Sequence, residues 1–342
     1  MSLKIGITGT NFISDDFCAA AGQVPGAEVT AVYSRRQETG DTFASRHAIP
    51  HVFTDYGRFL ASDIDAVYVA SPNAVHCSQT LQALNSKKHV LCEKVLAVNE
   101  AQVRSMVDCA RRNNVVLLEA MRPDFDPAFD IILENLPRIG TLRRASFEFC
   151  QYSSRYDDFR QGIVHNAFNP DLGNAAVMDI GVYCIHSLVR LFGMPEQVRA
   201  FSTKLSNGFD GSGIILMEYD GMTAEAVYSK ISASVNPSVI QGEDGSILID
   251  YISKPEQLEL RLRTGSRDPL DGGRREVLPF TPAPNNMVYE IAEFIRLVER
   301  NEVDHRYLRY SVDAIRVMDE VRRQTGIRFR EDSPGNENRS LD

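Results

Sequence analysis

The sequence predicts an α/β domain followed by an α+β domain: a doubly wound parallel sheet, then an open antiparallel sheet with helices on one face. Three observations carry this reading. The 342 residues exceed the size at which one hydrophobic core stops growing, so two domains are expected. Strand-length apolar runs alternate with helical patterns through the first third of the chain, which is the grammar of βαβ units. After Arg122 that grammar stops: Pro123 and Pro127 interrupt the chain, and most later segments are strands joined by short turns. The expected division is residues 1–122, residues 123–330, and a disordered tail over 331–342, where a polar run with Pro and Gly buries too little apolar surface to order itself.

Lys4 to Thr8 is a short apolar strand, Asp15 to Gln23 a helix, and Glu28 to Tyr33 the next strand, giving a first βαβ unit. Asp65 to Ala70 and His89 to Cys92 are nearly continuous apolar runs rich in β-branched residues, as parallel strands covered on both faces require. Between them, His76 to Ser86 sets Leu81 and Leu84 on one helical stripe. Asn99, with Gln102 three residues on, opens a helix whose buried face is Val103, Met106, Val107 and Ala110, and Val115 to Glu119 is a further strand. In the second half, 142–152 alternates in twos through Ala145, Phe147 and Phe149. Segments 197–204, 213–219, 222–229, 246–250 and 258–263 follow as strands, and turns such as Asp220-Gly221 and Asp244-Gly245 imply antiparallel pairing. Two amphipathic helices, 287–300 and 307–324, close the fold.

Composition narrows the partners. With 43% apolar and 24% charged residues the chain is an ordinary globular protein, and a net charge of −9 argues against nucleic acid or an anionic membrane surface. A small-molecule partner is expected. The six cysteines show no CxxC spacing and fall mostly in apolar periodic segments, which reads as reduced thiols in a cytoplasmic protein. A strand at residue 4 leaves no room for a signal peptide, and no apolar run reaches membrane-spanning length. The seven histidines include no HExxH motif and no carboxylate cluster of metal type accompanies them, so no metal site is expected.

The candidate site begins at Glu93-Lys94, a charged pair at the end of the buried run His89 to Glu93. In an open α/β sheet a Lys at a strand's carboxyl end points into the dinucleotide crevice; the alternative is a salt bridge that closes the strand. The loop Gly9-Thr10-Asn11-Phe12-Ile13-Ser14 fills the GxGxxG slot after the first strand but keeps only its first glycine. Asn11 tolerates positive φ and Ser14 is small, so the slot remains usable, although Asp15 and Asp16 would repel a phosphate. At the end of the second strand, Ser34-Arg35-Arg36 replaces the acidic residue that would bind the ribose of NAD. A hydroxyl and two guanidinium groups suit a 2′-phosphate, so NADP is preferred over NAD; otherwise the two arginines are solvated charges opening a helix. Asp179, Tyr183 and His186 are spaced i, i+4, i+7 and share one face if 177–192 is helical. A tyrosine titrates near ~10, and a neighbouring ammonium such as Lys94 would favour its phenolate.

Taken in order, the Gly9 loop, Ser34-Arg35, Ser71-Pro72-Asn73 with His76, Glu93-Lys94 and Asp179-Ile-Gly-Val-Tyr183 resemble the Gfo/Idh/MocA family of glucose-fructose oxidoreductases, inositol dehydrogenases and dihydrodiol dehydrogenases, from residue 3 to about 325. The resemblance implies an N-terminal Rossmann domain holding NAD(P), and a C-terminal antiparallel sheet that supplies substrate contacts and a homodimer or higher homo-oligomer interface. It implies that Lys94, Asp179 and Tyr183 are catalytic, with Lys94 on the substrate oxygen, Tyr183 shuttling the proton and Asp179 orienting substrate or Lys94. Ser71, Pro72, Asn73, His76, Glu93 and Arg122 would line the cofactor with the Gly9 loop. Val95 stands where the family's E-K-P motif has Pro, and Asn174-Ala175 where it has a glycine run. The expected activity is hydride transfer to or from a secondary alcohol or carbonyl of a sugar, polyol or cyclic diol. A glycosidase with tightly bound dinucleotide and a non-catalytic NADP sensor are the alternatives. Arg122, Arg155, Tyr156, His165, Asn166 and Asn169 are candidate substrate contacts. Ile214 and Leu216 on an exposed strand face suggest dimerisation there.

Overall fold

Short apolar strands, the central ones buried on both faces, set up the first half. In the computed structural model, which describes residues 2–266 and 272–332, these are β1 (Leu3–Thr8), β2 (Ala27–Tyr33), β3 (His51–Phe53), β4 (Ala66–Val69), β5 (His89–Glu93) and β6 (Leu117–Ala120). They pair in parallel in the order β3-β2-β1-β4-β5-β6, with helices α1 (Phe12–Ala21), α2 (Gln37–His47), α3 (Tyr56–Leu60), α4 (Asn73–Asn85) and α5 (Glu100–Asn113) as crossovers. All four residues of β4 and of β6 are buried. Asn99 caps α5 by accepting from Gln102 N at 3.0 Å, as the capping-box spacing predicts. β3 and α3 were not read from the sequence, and α2 only as a helix opened by Arg35 and Arg36: β3 is three residues long and begins on exposed His51, too little pattern to announce a strand.

The second half carries α6 (Pro127–Asn135), β7 (Leu142–Cys150), α7 (Tyr156–Arg160), a π-helical turn over Val177–Gly181 running into α8 (Val182–Phe192), and strands β8 (Gln197–Lys204), β9 (Asp210–Tyr219), β10 (Met222–Ser229), β11 (Ser238–Gly242), β12 (Gly245–Ile249), β13 (Leu258–Leu262) and β14 (Arg274–Leu278). Its eight strands run β14-β13-β12-β11-β7-β10-β9-β8. The sheet is antiparallel except where β7 and β10 lie side by side in parallel, a departure from the expected all-antiparallel pairing. Both strands alternate identically, so the sequence pattern could not distinguish the two directions. Ala145, Phe147, Ala224, Ala226 and Tyr228 are buried, and α8 packs on β7 and β10. The π-turn approaches so closely that a Cβ on Gly181 would sit 3.1 Å from the Tyr228 ring.

Two further helices follow, α9 (Met287–Glu299) and α10 (Arg306–Thr325). The chain divides into two compact units between Arg122 and Pro123, but Ala283–Val312 and the stretch beginning at Arg330 belong to the first unit. The expected assignment of 283–312 to the second domain is therefore corrected. α9 packs against α1 and β6, and the connection to α10 is fastened by Arg111 to Asp304 at 2.7 Å and His305 to the Leu117 carbonyl at 2.9 Å. An amphipathic helix announces an apolar face without saying which sheet will cover it. Glu331 and Asp332, expected in a disordered tail, form part of a 3₁₀ turn, and Asn99 Nδ2 donates to the Glu331 carbonyl at 3.4 Å. The remainder of that expected tail lies outside the described residues.

Candidate active site

The parallel sheet has its switch point between β1 and β4, because β1 pairs with β2 on one side and β4 on the other. The loops after these two strands are tied together. Gly9 has φ +94°, and a Cβ there would lie 2.5 Å from the Ala70 carbonyl oxygen, so only glycine lets β1 end this close to β4. Asn11 does not use positive φ, contrary to the sequence expectation; its backbone is extended (φ −93°). Its side chain instead caps α1, accepting from Ile13 N at 3.1 Å and Ser14 N at 3.4 Å, while its Nδ2 donates to the Ala70 carbonyl at 3.2 Å. An amide can thus replace the second glycine by holding the loop through hydrogen bonds. The feared repulsion from Asp15 is reduced, since Arg46 and His47 both engage Asp15 at 2.6 Å. Thr10 is half-buried and Phe12 is 66% exposed at the helix N-terminus.

These residues fit a dinucleotide. Ser14 Oγ and Ser71 Oγ are buried hydroxyls without a partner among the described residues, one in the first turn of α1 and one on the loop after β4, on the two sides of the switch point. Ser34 is buried and its hydroxyl donates to the Arg36 carbonyl at 3.0 Å, a tight turn that leaves Arg35 and Arg36 exposed ahead of α2. Pro72 and Asn73 begin α4 and are half-buried.

His76 corrects an expectation. It is buried, with Nε2 2.7 Å from the Ser71 carbonyl and Nδ1 2.8 Å from the Val95 carbonyl, so it braces two loops and offers no ring edge to a cofactor. Burial pulls its pKa down, so the neutral ring donates to one carbonyl at a time even though both carbonyls favour a ring proton.

That brace belongs to a set of bonds around Lys94. Tyr68 donates to Glu93 Oε1, His76 meets the Val95 carbonyl, and Leu96 N donates to Glu119 Oε1 at 2.8 Å. The Lys94–Val95 peptide is cis. Half-buried Lys94 therefore sits at the carboxyl end of β5 on a backbone held on both sides. Arg122 follows β6 and is half-buried.

In the second unit the three residues expected on one helical face have separate surroundings. The π-turn shifts Asp179 out of α-helical phase with Tyr183 and His186. His186 is fully buried, 3.2 Å from Asp124, and is a core pair. The Tyr183 ring packs on Phe149 at 5.4 Å between centroids, and Phe149 in turn meets Tyr251 at 5.1 Å. Asp179 Oδ2 accepts from Lys230 Nζ at 2.6 Å. Lys230, which the sequence reading did not single out, is only 5% exposed; it also donates to the Ala167 carbonyl at 3.0 Å and lies 4.9 Å from the Phe168 ring centroid. The turn itself is fastened by Asp210, whose Oδ2 accepts from Val177 N at 3.0 Å and whose carboxyl is pushed up to about 6 by burial. Among the remaining candidate contacts, Arg155 and Asn166 are exposed, Tyr156 joins a ring cluster with Phe159 and Phe168, His165 pairs with Asp158 at 2.7 Å, and Asn169 caps a 3₁₀ turn through Asp171 N. Among the described residues no cluster of three His, Cys, Asp or Glu is arranged to hold a metal, and no helix is long and apolar enough to cross a membrane.

Comparison with known proteins supplies context for this geometry. Residues 3–121 match the model described as an oxidoreductase family with an NAD-binding Rossmann fold, and residues 137–248 match the GFO/IDH/MocA C-terminal domain. The chain is 44% identical to a scyllo-inositol 2-dehydrogenase (NADP(+)) of Bacillus subtilis (strain 168), covering 95% of this chain and 98% of that one. It is 32% identical to the trans-1,2-dihydrobenzene-1,2-diol dehydrogenase of Xenopus laevis, over 96% and 100% of the two chains. A 3-ketoreductase from Actinomadura kijaniata, solved with NADP and TDP-benzene, shares the fold with a TM-score of 0.83 at 23% identity, over 96% of this chain and 99% of that one.

Proposed function

Because this chain belongs to the GFO/IDH/MocA family of oxidoreductases and is a dehydrogenase or reductase acting on CH–OH groups, we propose that it interconverts a secondary alcohol and its ketone on a polyol, sugar or cyclic diol, with NADP preferred over NAD. When bound, the nicotinamide ring accepts or returns the hydride. The chain's own residues bind, orient and manage the proton. Lys94 donates to the substrate oxygen and stabilises the charge that develops there, which a fixed ammonium does without reorganising at the moment of reaction. Tyr183 exchanges the proton of that oxygen, and Asp179, held by Lys230, orients the neighbouring hydroxyl. Ser34, Arg35 and Arg36 would take the 2′-phosphate, and the Gly9–Ile13 loop with Ser71, Pro72, Asn73, Glu93 and Arg122 would line the cofactor, while His76 keeps the loop and the Lys94 segment in register.

The observation that carries this reading is the restraint around Lys94: Tyr68, His76 and Glu119 bond the backbone or side chains on either side of it, at the carboxyl end of β5. A purely structural ion pair would need no such positioning. The relatives named for inositol and for dihydrobenzenediol both act on ring-borne vicinal hydroxyls, which favours a cyclic polyol or trans-diol as substrate. Exposed Phe201 and Leu216, on strands β8 and β9, support a homo-oligomer surface on the second unit's sheet, and six thiols outside any disulfide suit the cytoplasm.

The test is to mix purified protein with NADP or NAD and a panel of cyclic polyols, aldoses and trans-diols, and to follow reduced nicotinamide by absorbance. Reduction with a cyclic polyol or trans-diol, at least about tenfold more efficient with NADP, is the expected result. Substrate hydrolysis without net cofactor turnover, or tight NADP binding with no turnover on any panel member, would contradict it.

A further inference from the structure

The first unit buries a carboxyl that the reaction above does not use. Glu290 on α9 is 0% exposed, and neither of its oxygens has a hydrogen-bond partner among the described residues. An ionised carboxylate in that condition would lack both water and donors, so its charge could not persist there. The charged groups that act on it are Glu93, whose negative charge raises its pKa, and Arg122, whose positive charge opposes that; burial raises it most. Tyr68 joins the cluster. It is fully buried, stacks on Phe17 at 3.7 Å and donates to Glu93 Oε1.

Among the described residues Arg122 is the cation that acts on Glu290, whereas Arg296 on α9 and Arg306 at the start of α10 act on Glu293. β6 carries Glu119, engaged by Leu96 N, and α1 carries Asp15, engaged by Arg46 and His47, together with Asp16 and Cys18. Arg122 therefore offers one positive charge against two carboxyls. Electroneutrality leaves one proton to share, and the deeper acid, with no donors of its own, is the one that must hold it.

We propose that Glu290 is kept as a neutral carboxylic acid and serves as a positioning residue for the reaction, leaving Arg122 to balance Glu93 and so fixing the strand end that presents Lys94. Ionising Glu290 puts Glu93 and Arg122 out of balance one residue before Lys94, and truncating it to alanine leaves a void beside them that lets the strand end shift. The role in turnover rests on the reading of Lys94 given above; the protonation state of Glu290 does not.

The sign of the pH effect follows from linkage. Between the ordinary carboxylate range, which applies unfolded, and the raised folded value, the native state holds one proton more than the unfolded chain, so stability falls as pH rises through that window. The test compares wild type with Glu290→Gln, which keeps the shape of the neutral acid, and with Glu290→Ala. The folding equilibrium of wild type should drop with pH above ~5 by up to about tenfold per unit more steeply than that of Glu290→Gln. At neutral pH the kcat of Glu290→Ala should fall about tenfold while KM for substrate changes little, Glu290→Gln should restore kcat, and the alkaline limb of the wild-type kcat profile should be weakened in Glu290→Gln. Parallel stability curves overturn the proposal, as does an equal kcat loss in both variants. If Lys94→Met retains turnover while the stability curves still diverge, the role of Lys94 fails and the neutral state of Glu290 stands.

Discussion

Lys230 in the second unit and Glu290 in the first are both buried ionisable side chains near residues of the proposed chemistry, and the two are treated in opposite ways. Lys230, 5% exposed, is given a carboxylate at 2.6 Å, a carbonyl at 3.0 Å and a ring face at 4.9 Å, a set of partners that keeps an ammonium charged out of water. Glu290, 0% exposed, is given no donor and a second carboxyl as a neighbour, a setting that keeps an acid neutral. The difference teaches how one polypeptide prepares both a fixed charge and a fixed absence of charge. Lys230 holds Asp179 in place by attraction. Glu290 contributes by not competing for Arg122.

Breaking the charged arm should cost most. Lys230→Met removes the ammonium and frees Asp179 to rotate, and kcat is expected to fall on the order of 10²-fold. The stability cost should be about 1–3 kcal/mol, discounted because the Asp179 side chain is 38% exposed and can recover water. Steady-state kinetics and a denaturant midpoint measure the two. A variant with full turnover would mean that Asp179 needs no positioning.

A smaller effect sharpens the comparison within the second unit. Asp210 is a buried carboxyl like Glu290, but one oxygen accepts from Val177 N, and its value rises only to about 6. Between the unfolded carboxylate range near ~4 and about 6, the native state holds the extra proton, so stability should fall by about 2 kcal/mol as pH rises across that window and then level off. Asp210→Asn should flatten this segment of the stability profile. An unchanged slope would show that the proton is held elsewhere.

Much of this was legible in the sequence where periodicity was strong. β1, β2, β4, β5 and β6 were readable because parallel strands covered on both faces are unbroken apolar runs. β11 and β14 were missed: Ser238–Gly242 is short and half polar, and Arg274–Leu278 is mostly exposed at the sheet edge. Lys94, Asp179 and Tyr183 stand out through residue type and order, whereas the sequence reading singles out neither Lys230 nor Glu290. Both were in phase with a buried pattern. Ala224, Ala226 and Tyr228 alternate inward along β10, and Lys230 is the next residue in that series. Met287, Ile291 and Phe294 form the buried stripe of α9, and Glu290 lies on it. A charge in register with an apolar stripe is a signal that residue type alone conceals. The π-turn, by contrast, leaves no trace that spacing could detect, which is why the i, i+4, i+7 pattern groups Asp179 with Tyr183 and His186.

The central claim is that a restrained ammonium at the end of β5 acts on the reacting oxygen. Lys94→Met tests it most directly, with NADP affinity and turnover measured on the same preparation. The account predicts NADP binding within a few-fold of wild type and kcat lower on the order of 10²–10³-fold. Wild-type turnover in that variant would contradict it.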